Sequence, residues 1–378
     1  MRKIRIRCLT FLLISVLSTA VLASEEKLVL TPRIEGERVR LAIDTANPFP
    51  FVLLKPTVER LRLKTEEKHG KTVAVFTIML GGKAYPNGWG LVIDAPPFGE
   101  LDSDGLFGWP LLQGAVWQID WGRMSLSLLD SLPEEISSWQ VFKLDRQERI
   151  AAAFLDENEK GLVYFDTGNP EGLWLSGSLW NQWVRENQDV PMTLISGYMP
   201  AAGGIFWTEQ SWSDRFRLGP LTIPSVMLLK SPIKIWPRLE AVLGLEALKH
   251  FEVVLDLKGN RIFMKGRPYT PLNIQYNRLG AAFYPASMKS EKVVAQVLEK
   301  SPAYKAGLRS GDILLKVDDV DMARWNTEDS IAKRGFSKGA PGTQYTLEIE
   351  RDGKRHVIRV ELEEILKIPG GGKQGSKR

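Results

Sequence analysis

From about residue 27 to residue 266 the apolar positions fall in short runs, alternating or continuous, broken by Gly, Pro and Asn. Val73 to Leu80, Gly90 to Ile93, and Phe216 to Leu229 around Gly219-Pro220 are examples. Runs of this length bounded by turn residues read as strands. The pattern predicts a mainly β chain with few, short helices.

The runs repeat. Gly105-Leu106-Phe107-Gly108-Trp109-Pro110, then Val116-Trp117-Gln118-Ile119-Asp120, then Arg123-Met124-Ser125-Leu126 form one series. Ala241-Val242-Leu243-Gly244-Leu245-Glu246, then Phe251-Glu252-Val253-Val254-Leu255-Asp256, then Arg261-Ile262-Phe263-Met264 form a second, displaced by 136 positions. Each predicts a strand ending at Gly, a short helix, then a hairpin. Upstream, Val39-Arg40-Leu41-Ala42-Ile43-Asp44-Thr45-Ala46-Asn47-Pro48 matches Gly161-Leu162-Val163-Tyr164-Phe165-Asp166-Thr167-Gly168-Asn169-Pro170 at a displacement of 122. One unit is therefore written twice, the second with extra residues inside it.

After Pro268 the pattern changes. Val293 to Val297 reads as a strand, and Ser301-Pro302-Ala303 opens a short helix ending at Gly307. Gly311 to Val317 is a further strand. Tyr345 to Glu350 and His356 to Leu362 flank a turn at Asp352-Gly353. The expected domains are 24–136 and 137–267 for the two copies and 268–366 for the last unit, with a flexible basic tail over 367–378.

The opening changes how charge is read. Arg2, Lys3, Arg5 and Arg7 precede an apolar run from Cys8 to Ala23, which closes on small residues. Basic, apolar, small is the order of a secretory signal peptide, so residues 1–23 are expected to be removed and the protein to be periplasmic or secreted. Removing four basic residues brings the formal +5 to about +1, and the basic tail supplies that remainder. No nucleic-acid partner is expected, and no membrane partner after cleavage. Cys8, the one cysteine, leaves with the signal peptide. The three histidines are scattered without zinc-site spacing, so neither metal nor cofactor is expected.

The two Asp-Thr triplets are the candidate chemistry. An aspartate at the end of a buried strand is costly as a charge. Two that meet can share one proton, one acting as base toward a water and the other as acid. A duplicated unit supplies one aspartate per half.

These triplets resemble the Asp-Thr/Ser-Gly motif of the pepsin and retropepsin aspartic peptidases. Leu173-Trp174-Leu175-Ser176 resembles the stretch after that motif. Leu106-Phe107-Gly108 and Val242-Leu243-Gly244 resemble the element that completes each psi loop. The resemblance spans roughly residues 27 to 266 and implies two homologous acid-protease lobes of psi-loop β-barrel type. It implies Asp44 and Asp166 as the catalytic dyad of an exported aspartic endopeptidase acting on extended peptide or unfolded protein. Thr45 and Thr167 would cross-bond the two loops, and the Ala46 and Gly168 amides would donate to the carboxylates. Ala46 departs from Gly, and Asn47 and Asn169 stand where Ser or Thr is usual, with side chains still able to donate. Tyr198, Gly203 and Gly204 mark a flap candidate; the matching stretch, Glu66 to Lys71, is polar. With two lobes in one chain, a monomeric unit is expected. The alternative is a proteolytically inactive peptide-binding protein using the same surfaces.

The last unit resembles bacterial PDZ domains through Ser301-Pro302-Ala303, Ala306-Gly307-Leu308 and Gly311-Asp312-Ile313-Leu314. That resemblance implies that Leu279, Gly280, Ala281 and Ala282 bind a peptide C-terminus, which adds as a strand to the sheet edge.

Overall fold

The computed structural model describes residues 27–366 other than 81–82, 95–102, 149, 156–157, 159–160, 200–203, 233–237, 272–273, 286–289, 291, 323–328, 330–332 and 334, together with Ile368. The basic-apolar opening with its expected cleavage near Ala23, and the tail from 369 on, lie outside the described residues.

The apolar runs of the first copy become β1 (Val29–Leu30), β2 (Arg33–Ile34), β3 (Glu37–Arg38), β4 (Leu41–Asp44) and β5 (Phe51–Leu54). After helix α1 (Lys55–Arg60), with Pro56 in its first turn, come β6 (Lys64–Lys68), β7 (Lys71–Leu80), β8 (Lys83–Ile93) and β9 (Gly105–Gly108). They form one sheet in the order β1-β4-β9-β5-β8-β7-β2-β3, with β6 paired to β7. β10 (Val116–Asp120) and β11 (Ser125–Leu129) follow as a hairpin, then β12 (Gln140–Lys143).

The second copy supplies β13 (Ala152–Phe154), β14 (Leu162–Phe165) and β15 (Leu173–Leu175), then α2 (Gly177–Glu186), capped by Ser176 Oγ accepting from the Leu179 amide. β16 (Met192–Met199), β17 (Gly204–Leu218), β18 (Leu221–Lys230) and β19 (Leu239–Leu243) complete a seven-stranded sheet ordered β13-β14-β19-β15-β18-β17-β16. α3 (Leu245–Leu248) leads into the hairpin of β20 (Phe251–Asp256) and β21 (Arg261–Gly266).

The two large sheets share a connection pattern. β4 runs parallel to β9, β9 antiparallel to β5, β5 parallel to β8, and β8 antiparallel to β7. Likewise β14 runs parallel to β19, β19 antiparallel to β15, β15 parallel to β18, and β18 antiparallel to β17. In each case a later strand inserts between two consecutive ones, and the chain must cross closely where it leaves. Glycine is required there: a Cβ at Gly108 would lie 1.9 Å from the Phe49 carbonyl oxygen, and one at Gly244 2.3 Å from that of Glu171. The end hairpins also match, since Asp120 Oδ1 accepts from the Arg123 amide and Asp256 Oδ1 from the Gly259 amide.

A five-stranded sheet, β11-β10-β20-β21-β12, draws strands from both copies. One apolar core accordingly runs from Leu28 to Met264 and crosses the expected boundary at 136/137. In its first half the Phe51 ring meets Phe76 and Phe107 edge-on at 5.3 and 5.6 Å. Burying each such ring contributes roughly 2–3 kcal/mol.

The last unit has its own core, from Leu279 to Leu362. Its strands are β22 (Ala281–Pro285), β23 (Val293–Val297), β24 (Ile313–Val317), β25 (Val320–Asp321), β26 (Gln344–Arg351) and β27 (Lys354–Glu361). α4 (Pro302–Lys305) is capped by Ser301, and Asp352 and Gly353 make the last hairpin turn at positive φ. β22 is an edge strand: the order is β22-β23-β24-β26-β27, with β25 on β24.

Candidate functional site

Asp44 ends β4, and Asp166 follows β14 directly. Both are 2% exposed. The two loops are braced against each other by their threonines. The Thr45 amide donates to Thr167 Oγ1 at 3.2 Å, and the Thr167 amide to Thr45 Oγ1 at 3.1 Å. Each hydroxyl then donates to the opposite strand, Thr45 to the Phe165 carbonyl and Thr167 to the Ile43 carbonyl. Four buried polar groups are thereby satisfied across the junction.

Each carboxylate is held by amides of its own loop. The Ala46 amide donates to Asp44 Oδ1 at 2.9 Å, and the Gly168 amide to Asp166 Oδ1 at 3.0 Å, with Asn169 adding a second amide at 3.1 Å. Gly168 lies so close to the other loop that a Cβ there would stand 2.6 Å from Asp44 Cγ. Ala46, at the matching position, carries its methyl in the buried interior. Burial pushes the Asp44 carboxyl up to about 7, against the opposing pull of the Ala46 and Asn47 amides. Asp166 is also raised, by burial first and then by Asp44, against the Gly168 and Asn169 amides. Two such groups titrate as one unit. A pair of this kind can donate to one polar atom and accept from another.

Asn47 and Asn169 serve the loops. Their Oδ1 atoms accept from the Phe49 and Glu171 amides at 3.1 and 3.0 Å. Their buried Nδ2 groups find no acceptor among the described residues. Tyr198 and Gly204 lie on the paired strands β16 and β17; Gly203 lies outside the described residues. In the first copy the equivalent hairpin, β6–β7, turns through His69 and Gly70 at positive φ.

At the start of the last unit, Gly280 has φ +71°, and a Cβ there would lie 2.3 Å from Ser301 Cβ. Leu279, Ala281 and Ala282 are buried around it. The Leu279 and Gly280 amides are both occupied, donating to Asn277 Oδ1 at 2.9 and 3.2 Å. Asn277 Nδ2 donates to the Ala281 and Leu194 carbonyls, at 2.8 Å each. Asn277 was not a candidate on sequence grounds, although an Asn shortly before a Gly is a recognised turn signal.

Among the described residues no group of three His, Cys, Asp or Glu could hold a metal ion. His69 is on the β6–β7 turn, His250 packs its ring on Tyr269 at 4.9 Å, and His356 is exposed on β27. No described helix is long and apolar enough to cross a membrane.

Residues 267–362 match the PDZ domain family, and this part of the chain is a PDZ domain. A protein of Rickettsia conorii named as a zinc metalloprotease is 32% identical over 101 residues, 26% of this chain and 26% of that protein. A protein of Pseudomonas fulva named as a DegP-like periplasmic serine endoprotease is 40% identical over 70 residues, 18% of this chain and 14% of that protein. The chain thus spans about a quarter or less of the curated relatives it matches. A solved aminopeptidase N family protein from Idiomarina loihiensis is 24% identical, covering 23% of this chain and 14% of that one, with a TM-score of 0.19. That score is too low to bear on the fold.

These relatives correct the expectation of an aspartic endopeptidase: both are named as proteases, one zinc-dependent and one serine-type, and neither is aspartic. The Asp-Thr triplets misled for a physical reason. Their threonines brace two loops across a shared core, a structural task that also selects this residue pattern at matched places in a repeat.

Proposed function

We propose that this chain is an exported peptide-recognition protein that works alongside proteolysis, capturing the C-terminal residues of extended polypeptides at its PDZ domain. The observation that carries this reading is the PDZ domain itself, with its positive-φ Gly280 loop leading into the edge strand β22. An edge strand presents a row of backbone donors and acceptors that an incoming strand can pair. That the relatives are named as proteases, one of them periplasmic, supports the setting and the export implied by the basic-apolar-small opening.

We read the two matched sheets as paired lobes of the acid-protease type, on the strength of their shared strand connections and threonine brace. In this reading Asp44 and Asp166 are the functional pair of that half. They use one shared proton to hold a polar group of an extended polypeptide, and the unit is a monomer. Peptide-bond hydrolysis is not assigned to them.

The test is fluorescence anisotropy of the full chain with labelled decapeptides ending in an apolar residue, as free acids and as C-terminal amides. The free acids should bind, and amidation should weaken binding at least about ten-fold, since the loop would lose the terminal charge. Equal binding of acid and amide, or no binding, would refute terminal capture.

A further inference from the structure

The described edge of β22 is not open. β16 of the seven-stranded sheet lies against it, with one side-chain bridge to β22 itself and two to Asn277 just before it. Ser196 Oγ donates to the Phe283 carbonyl at 3.0 Å. Thr193 Oγ1 donates to the Asn277 carbonyl at 2.6 Å, and Asn277 Nδ2 returns to the Leu194 carbonyl at 2.8 Å.

The side of β22 involved follows from the ladder. Phe283 faces Ala295 on β23, and Ala281 faces Val297. The Ala295 amide donates away from β22, to the Asp312 carbonyl, and the Val297 amide goes to Ser310 Oγ. In an antiparallel pair, residues that do not exchange bonds turn their backbone groups outward. Phe283 and Ala281 therefore point their N–H and C=O groups away from β23, at the edge where an added strand would bond. Ser196 and Asn277 already hold those two carbonyls. Asn277 also fills the loop: its Oδ1 sits on the Leu279 and Gly280 amides, where a terminal carboxylate oxygen would be received.

We propose that this structure is the closed state of the PDZ domain, with β16 and Asn277 occupying the peptide edge, and that an extended peptide C-terminus binds by displacing them. The proposal rests on the peptide-capture reading above and specifies how that site is controlled. β16 is one arm of the β16–β17 hairpin, so a captured peptide frees the hairpin that is tied down when the site is empty. Occupancy of the PDZ edge thereby reports to the sheet that carries Asp166. The bridges are side-chain bonds and not a continuous ladder, which suits a contact that opens. Apparent affinity in such a system is the intrinsic affinity reduced by the fraction of molecules that are open.

The double variant Thr193→Val/Ser196→Ala removes two of the three bridges from β16 while leaving every PDZ residue in place. Its binding of the labelled free-acid decapeptides is compared with wild type in the full chain, alongside hydrogen exchange with and without peptide. Closure by β16 predicts at least about ten-fold tighter binding by the variant. It also predicts that peptide speeds exchange at residues 192–199 of the wild type while β20 and β21 stay protected. Equal affinities, with exchange over 192–199 unaffected by peptide, overturn the closed-state proposal and leave peptide capture standing. Weaker binding by a variant whose β20 and β21 remain protected also overturns it, because β16 would then be helping to hold the ligand. No binding by either protein overturns both readings.

Discussion

The two copies build the same frame and then use its projecting hairpin differently. In the first, β6 and the start of β7 stand in solvent as an exposed ribbon of Lys, Glu and Thr. In the second, the equivalent β16 is buried at Thr193 and Leu194 and bridged to another domain. The frame itself is held by groups that recur in both: a glycine at each close crossing, an aspartate at each loop, and a threonine reaching across. A repeat thus separates what the fold requires from what one copy has been free to change. The crossings belong to the first kind and the hairpins to the second.

The largest effect should come from breaking what the copies share. Gly108→Ala and Gly244→Ala each drive a methyl into a backbone carbonyl that side-chain rotation cannot move. Each should cost about 3 kcal/mol or more in urea unfolding. Gly177→Ala, at a site with nothing within 4 Å of the new methyl, should be neutral or slightly stabilising. If Gly108 and Gly244 behaved like Gly177, the two crossings would not be the tight points that the geometry describes.

A smaller effect should follow from the paired aspartates. Both carboxyls are raised in the folded protein, so the native state keeps protons that the unfolded chain gives up above about pH 4. Their contribution is fully present below that point and is lost as pH rises through the folded values, near 7 for Asp44. Thermal melts of wild type should therefore fall between pH 5 and pH 8. Asp166→Asn removes the like-charge neighbour and one of the two linked protons, so its melts should be flatter over that range. At pH 8 the variant should gain roughly 1–2 kcal/mol on wild type. A wild-type melting temperature that rises from pH 5 to pH 8 would show that the pair is not held protonated.

Much of this frame was legible as a pattern, because strand-ending glycines, loop aspartates and hairpin turns are local requirements that each copy states separately. The start of β8 was less so. Gly90 to Ile93 read as strand, whereas β8 begins at Lys83 and includes Pro86, Asn87 and Gly88. The strand continues through them because the register shifts between Phe76 and Ile78, a bulge that accommodates Pro86 and the positive φ of Asn87. The sheet shared by β10, β11, β12, β20 and β21 was hidden for another reason: the pairings that join its two hairpins and β12, β10 with β20 and β12 with β21, link residues more than a hundred positions apart. The β16–β22 seam was hidden too, as Thr193, Ser196 and Asn277 are residue types that serve equally at turns and on wet surfaces. The two triplets meet through their threonines, but the activity attached to them did not follow, since a loop brace and an acid-base centre call for much the same residues.

The smallest effect, set against one of moderate size, should separate the two hairpins. Lys64 and Lys68 pair with Glu66 at 3.8 and 3.3 Å along β6, with both lysines exposed and Glu66 partly so. Ion pairs of this kind are screened and entropically offset, so Lys68→Ala should change stability by no more than about 0.5 kcal/mol. Thr193→Val replaces a side chain of nearly equal size, yet it strips the donor from a buried bond to the Asn277 carbonyl. It should cost about 1–2 kcal/mol, because that carbonyl keeps its desolvation and loses its partner. Measured side by side in urea, the two substitutions ask whether the same hairpin has been left idle in one copy and engaged in the other. Comparable costs would mean that β16 gains nothing from the PDZ domain. A clear excess for Thr193→Val that disappears on adding saturating free-acid peptide would instead show that the engaged hairpin is held by the same edge the ligand takes.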